Sequence, residues 1–182
     1  FTLNYVGPKE VVCPGVERGF VSRSLLDAES FDEAISTATT AKMSAGHNYQ
    51  FWRSNIPTIH NVEVAARGLY AVRPISEEAF FHANQYETLN VPQMVGNSSL
   101  HRVARAKELL DEIAPTTTDA LLRIIGDQGD RQWPIFHDAA SHARGDLSLW
   151  TVCSVLVDLR AQKLTVYSGN PEQASTRVVI LE

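Results

Sequence analysis

Apolar and polar positions follow two periods along this chain, and each change of period marks an element. Phe1-Thr2-Leu3-Asn4-Tyr5-Val6 alternates with period two and predicts a strand already in progress at the first residue. Pro8, Pro14 and Gly15 break the pattern, so 7–19 reads as a loop. Phe20, Leu25 and Leu26 then fall at helical spacing over 20–28. A second helix begins at Ser30, where Ser30-Phe31-Asp32-Glu33 has the capping-box pattern: a hydroxyl for an orphan N–H, and a Glu to reach back to the cap.

From His47 the period returns to two. Residues 47–52, 59–66 and 69–72 predict consecutive strands, and 79–84 a further short one ending in His82-Ala83-Asn84-Gln85. Ser98 or Ser99 is placed to cap the longest helix, with Leu100, Val103, Leu110 and Ile113 on one face. Thr117-Thr118-Asp119 opens another helix, and 126–147 is polar and loop-like. The apolar run 150–159 predicts a strand buried on both faces, and 164–167 and 177–181 predict strands separated by a turn at Ser168-Gly169-Asn170-Pro171. Helices mixed with consecutive strands imply an α+β fold with mainly antiparallel sheets.

Composition narrows the function classes. The 182 residues are 44% hydrophobic and 20% charged, which excludes a disordered chain. Lys+Arg 16 against Asp+Glu 21 gives a net charge of −5 with no basic cluster, which argues against nucleic acid or an anionic membrane as partner. No apolar run approaches the ~20 residues of a membrane span. Two cysteines, Cys13 and Cys153, do not make a disulfide-dense scaffold. The chain opens on Phe1 without an initiator Met or a signal peptide, the pattern of a processed subunit or a piece of a longer protein.

The common catalytic motifs are absent: GxSxG, GxxxxGK[ST], GxGxxG after a strand, and HExxH. His137, Asp138 and His142 match no common metal spacing, and Asp127-Gln128-Gly129-Asp130 lacks the alternating ligands of a calcium loop and reads as a turn. Cys153 reads as a small buried hydrophobe. Cys13 is followed by Pro-Gly and then a helix, unlike a nucleophile that leads a strand.

Taken in order, several short segments do form a recognisable set. They are Thr2-Leu3-Asn4-Tyr5; Ser30-Phe31-Asp32-Glu33-Ala34; His47-Asn48-Tyr49; Asn61-Val62-Glu63-Val64; and Phe81-His82-Ala83-Asn84-Gln85. Asn97-Ser98-Ser99-Leu100-His101-Arg102, Arg105, Glu108-Leu109-Leu110, Trp133-Pro134-Ile135 and the strand pair near 151–158 and 164–167 complete it. This set resembles the acyl-coenzyme A:6-aminopenicillanic-acid acyltransferase family, with the β-alanyl amine hydrolases among its relatives.

The resemblance implies an N-terminal-nucleophile fold, a four-layer αββα sandwich. Residues 1–182 would then be the C-terminal major part of a single domain lacking its N-terminal strands. It implies a cysteine exposed by self-cleavage as the nucleophile, carried ahead of the Leu-Asn-Tyr strand by a segment or companion chain. Asn4 and Asn84 match the asparagines that line the family's oxyanion hole, and a neutral amide N–H₂ suits that task because it donates without acting as a base. Tyr5 and Arg144, the latter in an Arg-Gly pair, match substrate-binding positions. Arg102 and Arg105 match repeated arginines and read as surface or ion-pair residues. The bile-salt hydrolases carry an Arg where Leu100 stands here, so no ionic contact arises from that position.

The expectation is an amidohydrolase or acyltransferase acting on linear amide C–N bonds, without cofactor or metal. Its partners would be a small amide or acyl substrate, the nucleophile-bearing segment and further copies of itself, in the cytoplasm. Thr2, which leads a strand, would be an alternative nucleophile were Phe1 removed. The non-enzymatic alternative is a family-related binding or assembly module without a nucleophile; a strand-leading Cys after a small residue in the upstream coding sequence separates the two.

Overall fold

In a computed structural model the described residues are 1–11, 13–40, 42–54, 56–139, 150–173 and 175–180. They fall in two units, Phe1–Gly96 and Asn97–Glu182. The first holds β1 (Thr2–Tyr5), β2 (Gly7–Pro8), α1 (Arg18–Leu25), α2 (Phe31–Thr40), β3 (His47–Arg53), β4 (Ile56–Val64), β5 (Tyr70–Ile75) and β6 (Gln93–Met94). The second holds α3 (Asn97–Ile113), α4 (Thr118–Ile125), β7 (Ser154–Asp158), β8 (Lys163–Ser168) and β9 (Ser175–Ile180). Among the described residues these strands pair antiparallel, with one isolated parallel bridge between Val16 and Met43, and the fold is α+β.

In the first unit β1, β3, β4 and β5 form one sheet in that order. Successive side chains on a strand point to opposite faces, so the period-two pattern sorts residues cleanly. Leu3, Tyr49, Phe51, Val62 and Val64 share one face, where they pack with Val21 and Leu25 of α1 and with Phe31, Ala34, Ile35 and Ala38 of α2. Phe31 stands edge-on to Phe51 at 6.5 Å between ring centroids, a favoured aromatic geometry. Tyr49 satisfies its hydroxyl on Ser22 at 2.9 Å, which lets a polar tip enter this core.

The helix ends follow local chemistry. Ser30 Oγ accepts from the Glu33 N–H at 3.1 Å, but the Glu33 carboxylate takes the N–H of Glu29 at 2.9 Å, one residue before the cap. Thr117 caps α4 through the Ala120 N–H.

Four expectations need correcting. The 79–84 segment is irregular rather than a strand; its His82 carbonyl meets the Asn4 amide and its Asn84 side chain bonds the Tyr5 carbonyl (below). Ser98 and Ser99 lie inside the first turn of α3 and are buried; their hydroxyls accept from Arg102, and Val103, Ala106 and Leu109 make the buried row while Leu100 is half exposed. The run expected over 150–159 is a strand only from Ser154 to Asp158, and Val152 is 87% exposed. Cys153 is exposed as well. A β-branched composition expresses fit to a pleated backbone and carries no information on whether both faces are covered. Cys13, too, is exposed. The turn at Asp127-Gln128-Gly129-Asp130 is held by Arg105, whose Nε and Nη2 donate to both Asp127 oxygens at 3.0 and 2.9 Å.

Candidate functional site

The second face of the four-stranded sheet is polar. Its register sets Asn4 of β1 opposite Asn48 of β3, and Asn48 opposite Glu63 of β4, in one row across three strands. A neighbouring row aligns Thr2, Gln50 and Asn61. Amides in the two rows bond to each other: Asn48 Nδ2 donates to Asn61 Oδ1 at 2.6 Å, and Gln50 Nε2 to Asn48 Oδ1 at 2.5 Å. Thr2 Oγ1 donates to Gln50 Oε1 at 2.5 Å. Asn48, Asn61 and Glu63 are fully buried.

A carboxylate without solvent must find donors within the protein, and Glu63 has four. Its Oε1 accepts from the Glu87 N–H at 2.8 Å and meets His82 Nε2 at 3.0 Å. Its Oε2 accepts from the N–H groups of Thr88 and Leu89 at 2.9 and 2.7 Å. Burial alone would raise the Glu63 pKa, but His82 and these three N–H groups more than offset it and hold the carboxyl below its ordinary value. The three backbone N–H groups that converge on Glu63 belong to 87–89, where the chain runs through bends instead of a strand.

His82, whose side chain is 3% exposed, links that carboxylate to β1. Asn4 Nδ2 lies 3.2 Å from His82 Nδ1 and 3.4 Å from the His82 carbonyl oxygen. Only an N–H₂ group suits both neighbours, since an amide oxygen in that place would face the carbonyl oxygen. Nδ1 therefore accepts, which puts the ring proton on Nε2, where it donates to Glu63.

Two residues further on, Asn84 Nδ2 donates to the Tyr5 carbonyl oxygen at 2.9 Å. Asn4, Tyr5 and Asn84 are thus brought together at the end of β1, although about 80 positions separate the asparagines. The Tyr5 contribution is its backbone carbonyl; its side chain is half exposed. Two residues after Asn84, Tyr86 donates its hydroxyl to the Val64 carbonyl at 2.8 Å, and burial together with the Glu63 charge pushes its phenol upward. Arg144 lies outside the described residues.

Sequence reasoning gave no role to Glu63 or His82, which entered only as letters in short segments. The signal was present for Glu63: a carboxylate inside Val62-Glu63-Val64 of a buried strand must be paired. His82 had no comparable local mark.

A family model described as Acyl-coenzyme A:6-aminopenicillanic acid acyl-transferase matches residues 1–173, a span that takes in the sheet and both asparagines. No curated protein matches the chain.

Proposed function

Starting from its membership of the Acyl-coenzyme A:6-aminopenicillanic acid acyl-transferase family, to which the chain belongs, we propose that it catalyses acyl transfer or hydrolysis at linear amide C–N bonds. The observation that carries this reading is that two side-chain amides are fixed at one end of β1, Asn4 through His82 and Asn84 through the carbonyl of Tyr5.

A cysteine thiolate, carried ahead of the Leu3-Asn4-Tyr5 strand and freed by self-cleavage, attacks the acyl carbon. A C–S bond forms and the carbonyl oxygen takes the negative charge. Asn84 and Asn4 direct N–H groups to that oxygen; such donors act through charge that develops only in the transition state. The free α-amino group takes the thiol proton and returns it to the leaving nitrogen as the C–N bond breaks. Water then resolves the thioester to an acid, or an amine resolves it to a new amide.

Tyr5 and Arg144 hold the substrate in this reading, and neither Cys13 nor Cys153 takes part. The sheet with α1 and α2 on one face is one αβ half of an αββα sandwich, in which residues 1–182 belong to a single domain.

Protein expressed from the complete gene supplies the test, with acyl 4-nitroanilides and with an acyl-coenzyme A plus 6-aminopenicillanic acid as probes. Asn84→Ala is expected to lower kcat on the order of 10²–10³-fold, the usual effect of losing one oxyanion donor. An unchanged kcat would overturn the role of Asn84. Intact mass should show a mature chain beginning with Cys.

A further inference from the structure

The His82 ring lies between two groups that play different parts. On one side is Glu63, fully buried and saturated by N–H donors from His82, Glu87, Thr88 and Leu89. On the other is Asn4, whose amide is a candidate donor to the reacting oxygen. Glu63 and Asn4 stand two strands apart in the sheet, roughly 10 Å at ordinary strand spacing, and one imidazole with its two nitrogens bridges that gap.

The Asn4 amide has two N–H bonds and two partners. One goes to His82 Nδ1 at 3.2 Å and the other to the His82 carbonyl at 3.4 Å. The second contact is long for an N–H···O bond, so it is the one exchanged for a stronger acceptor. A tetrahedral oxyanion is such an acceptor. The bond to Nδ1 keeps the amide plane in place during that exchange, provided Nδ1 carries no proton. Glu63 secures this condition by drawing the single ring proton to Nε2. The same carboxylate, through Glu87, Thr88 and Leu89, pins the chain that follows Asn84, so both amides are referenced to one buried charge.

We propose that His82 and Glu63 are a positioning pair for the acyl-transfer site, with neutral His82 orienting the Asn4 amide from Nδ1 while Glu63 holds the opposite nitrogen. The inference rests on the acyl-transfer reading given above.

Two near-isosteres separate orienting Asn4 from merely filling the site. Asparagine can place an acceptor oxygen where Nδ1 stands, whereas glutamine reaches only the Nε2 position with its N–H. His82→Asn keeps the contact to Asn4, and His82→Gln keeps the contact to Glu63. With an acyl 4-nitroanilide and protein from the complete gene, kcat of His82→Asn is expected within about tenfold of wild type. For His82→Gln a fall on the order of 10²-fold with little change in KM is expected, the usual scale for a displaced catalytic amide. The reverse order, or two variants equal to wild type, would overturn the pair.

A long-range ¹H–¹⁵N spectrum of the wild-type histidines reads the ring without any mutation. One proton on Nε2 of His82 supports the proposal, and a proton on Nδ1 overturns it. Wild-type protein that turns over no amide would instead overturn the acyl-transfer reading, and the ring spectrum would still decide the geometry.

Discussion

The two faces of the four-stranded sheet are made from alternate residues of the same strands, β1, β3 and β4, and they are stabilised in opposite ways. Under α1 and α2 the sheet presents Leu3, Tyr49, Phe51, Val62 and Val64, and burial of area does the holding. Each such side chain contributes about 1.5–3 kcal/mol without regard to direction. On the other face Asn4, Asn48, Gln50, Asn61 and Glu63 are held by directed bonds. A typical hydrogen bond adds only about 0.5–1.5 kcal/mol net, yet a buried donor left without its partner costs about 1–3 kcal/mol. The apolar face therefore makes the sheet firm, and the polar face uses that firmness to aim particular atoms. The proposed chemistry falls on the second face, and aim, not area, is what a developing charge responds to.

The sharpest break in this comparison should come from Glu63→Ala, which strips a shared acceptor from four donors. About 1–3 kcal/mol is expected to go for each buried donor left without its acceptor, and kcat should fall with it. Urea unfolding and turnover at a temperature where the variant stays folded read the two effects separately. A variant as stable as wild type would show that Glu63 carries no such weight.

Phe51→Ala is the counterpart across the sheet. Its expected loss of stability is about 3–5 kcal/mol, from a vacated core site. Here kcat per folded molecule should stay near wild type. If kcat fell as far as in Glu63→Ala, the two faces would not be separable and the comparison would fail.

Acid should weaken the two faces in adjacent windows. His47, on the helix-covered face, is pushed from 6.5 down to about 4 by burial, with the charge of Arg18 adding to it. The unfolded chain then binds a proton between those values that the folded chain refuses, so stability falls as pH drops from about 6.5 to about 4. Glu63 is held below its ordinary 4.5, so its share of stability is present above that value and is lost as pH falls through the lower folded value. Denaturant unfolding over this range should show the first fall vanish in His47→Phe while the second remains. Persistence of the upper fall in that variant would assign it to another group.

The smallest effect is expected at the exposed margin of the polar face. Thr2→Val removes the hydroxyl bonded to Gln50, and a surface change of this kind usually moves stability within about 0.5 kcal/mol. With kcat altered less than about twofold, Thr2 is a structural edge residue. A collapse of activity would make Thr2 the nucleophile instead of a cysteine.

Much of this was legible in the chain. The alternation in 1–6 and 47–52 sets Asn4 and Asn48 on one side and Leu3 and Tyr49 on the other, because the pleat has a period of two. The Ser30 and Thr117 caps were equally local. The irregular course of 79–84 was not, since the His82 ring answers to Glu63 and the Asn84 amide to the Tyr5 carbonyl, residues far away in sequence. Leu100 was assigned inward on helical spacing alone, yet which helical stripe faces inward depends on the neighbours that pack against it. The apolar run at 150–159 misled for the same reason.

The sequence by itself determined that this is an α+β chain with antiparallel strands, that asparagines stand at Asn4 and Asn84, and that its ordered segments resemble one acyltransferase family. These are properties of short windows, where backbone periodicity and capping act over a few residues. Only the tertiary structure joined Glu63 to His82 and His82 to Asn4, and set Asn84 against the Tyr5 carbonyl at the end of β1. A buried carboxylate accepts whatever donors the fold brings within about 3 Å, and long-range pairing chooses those donors.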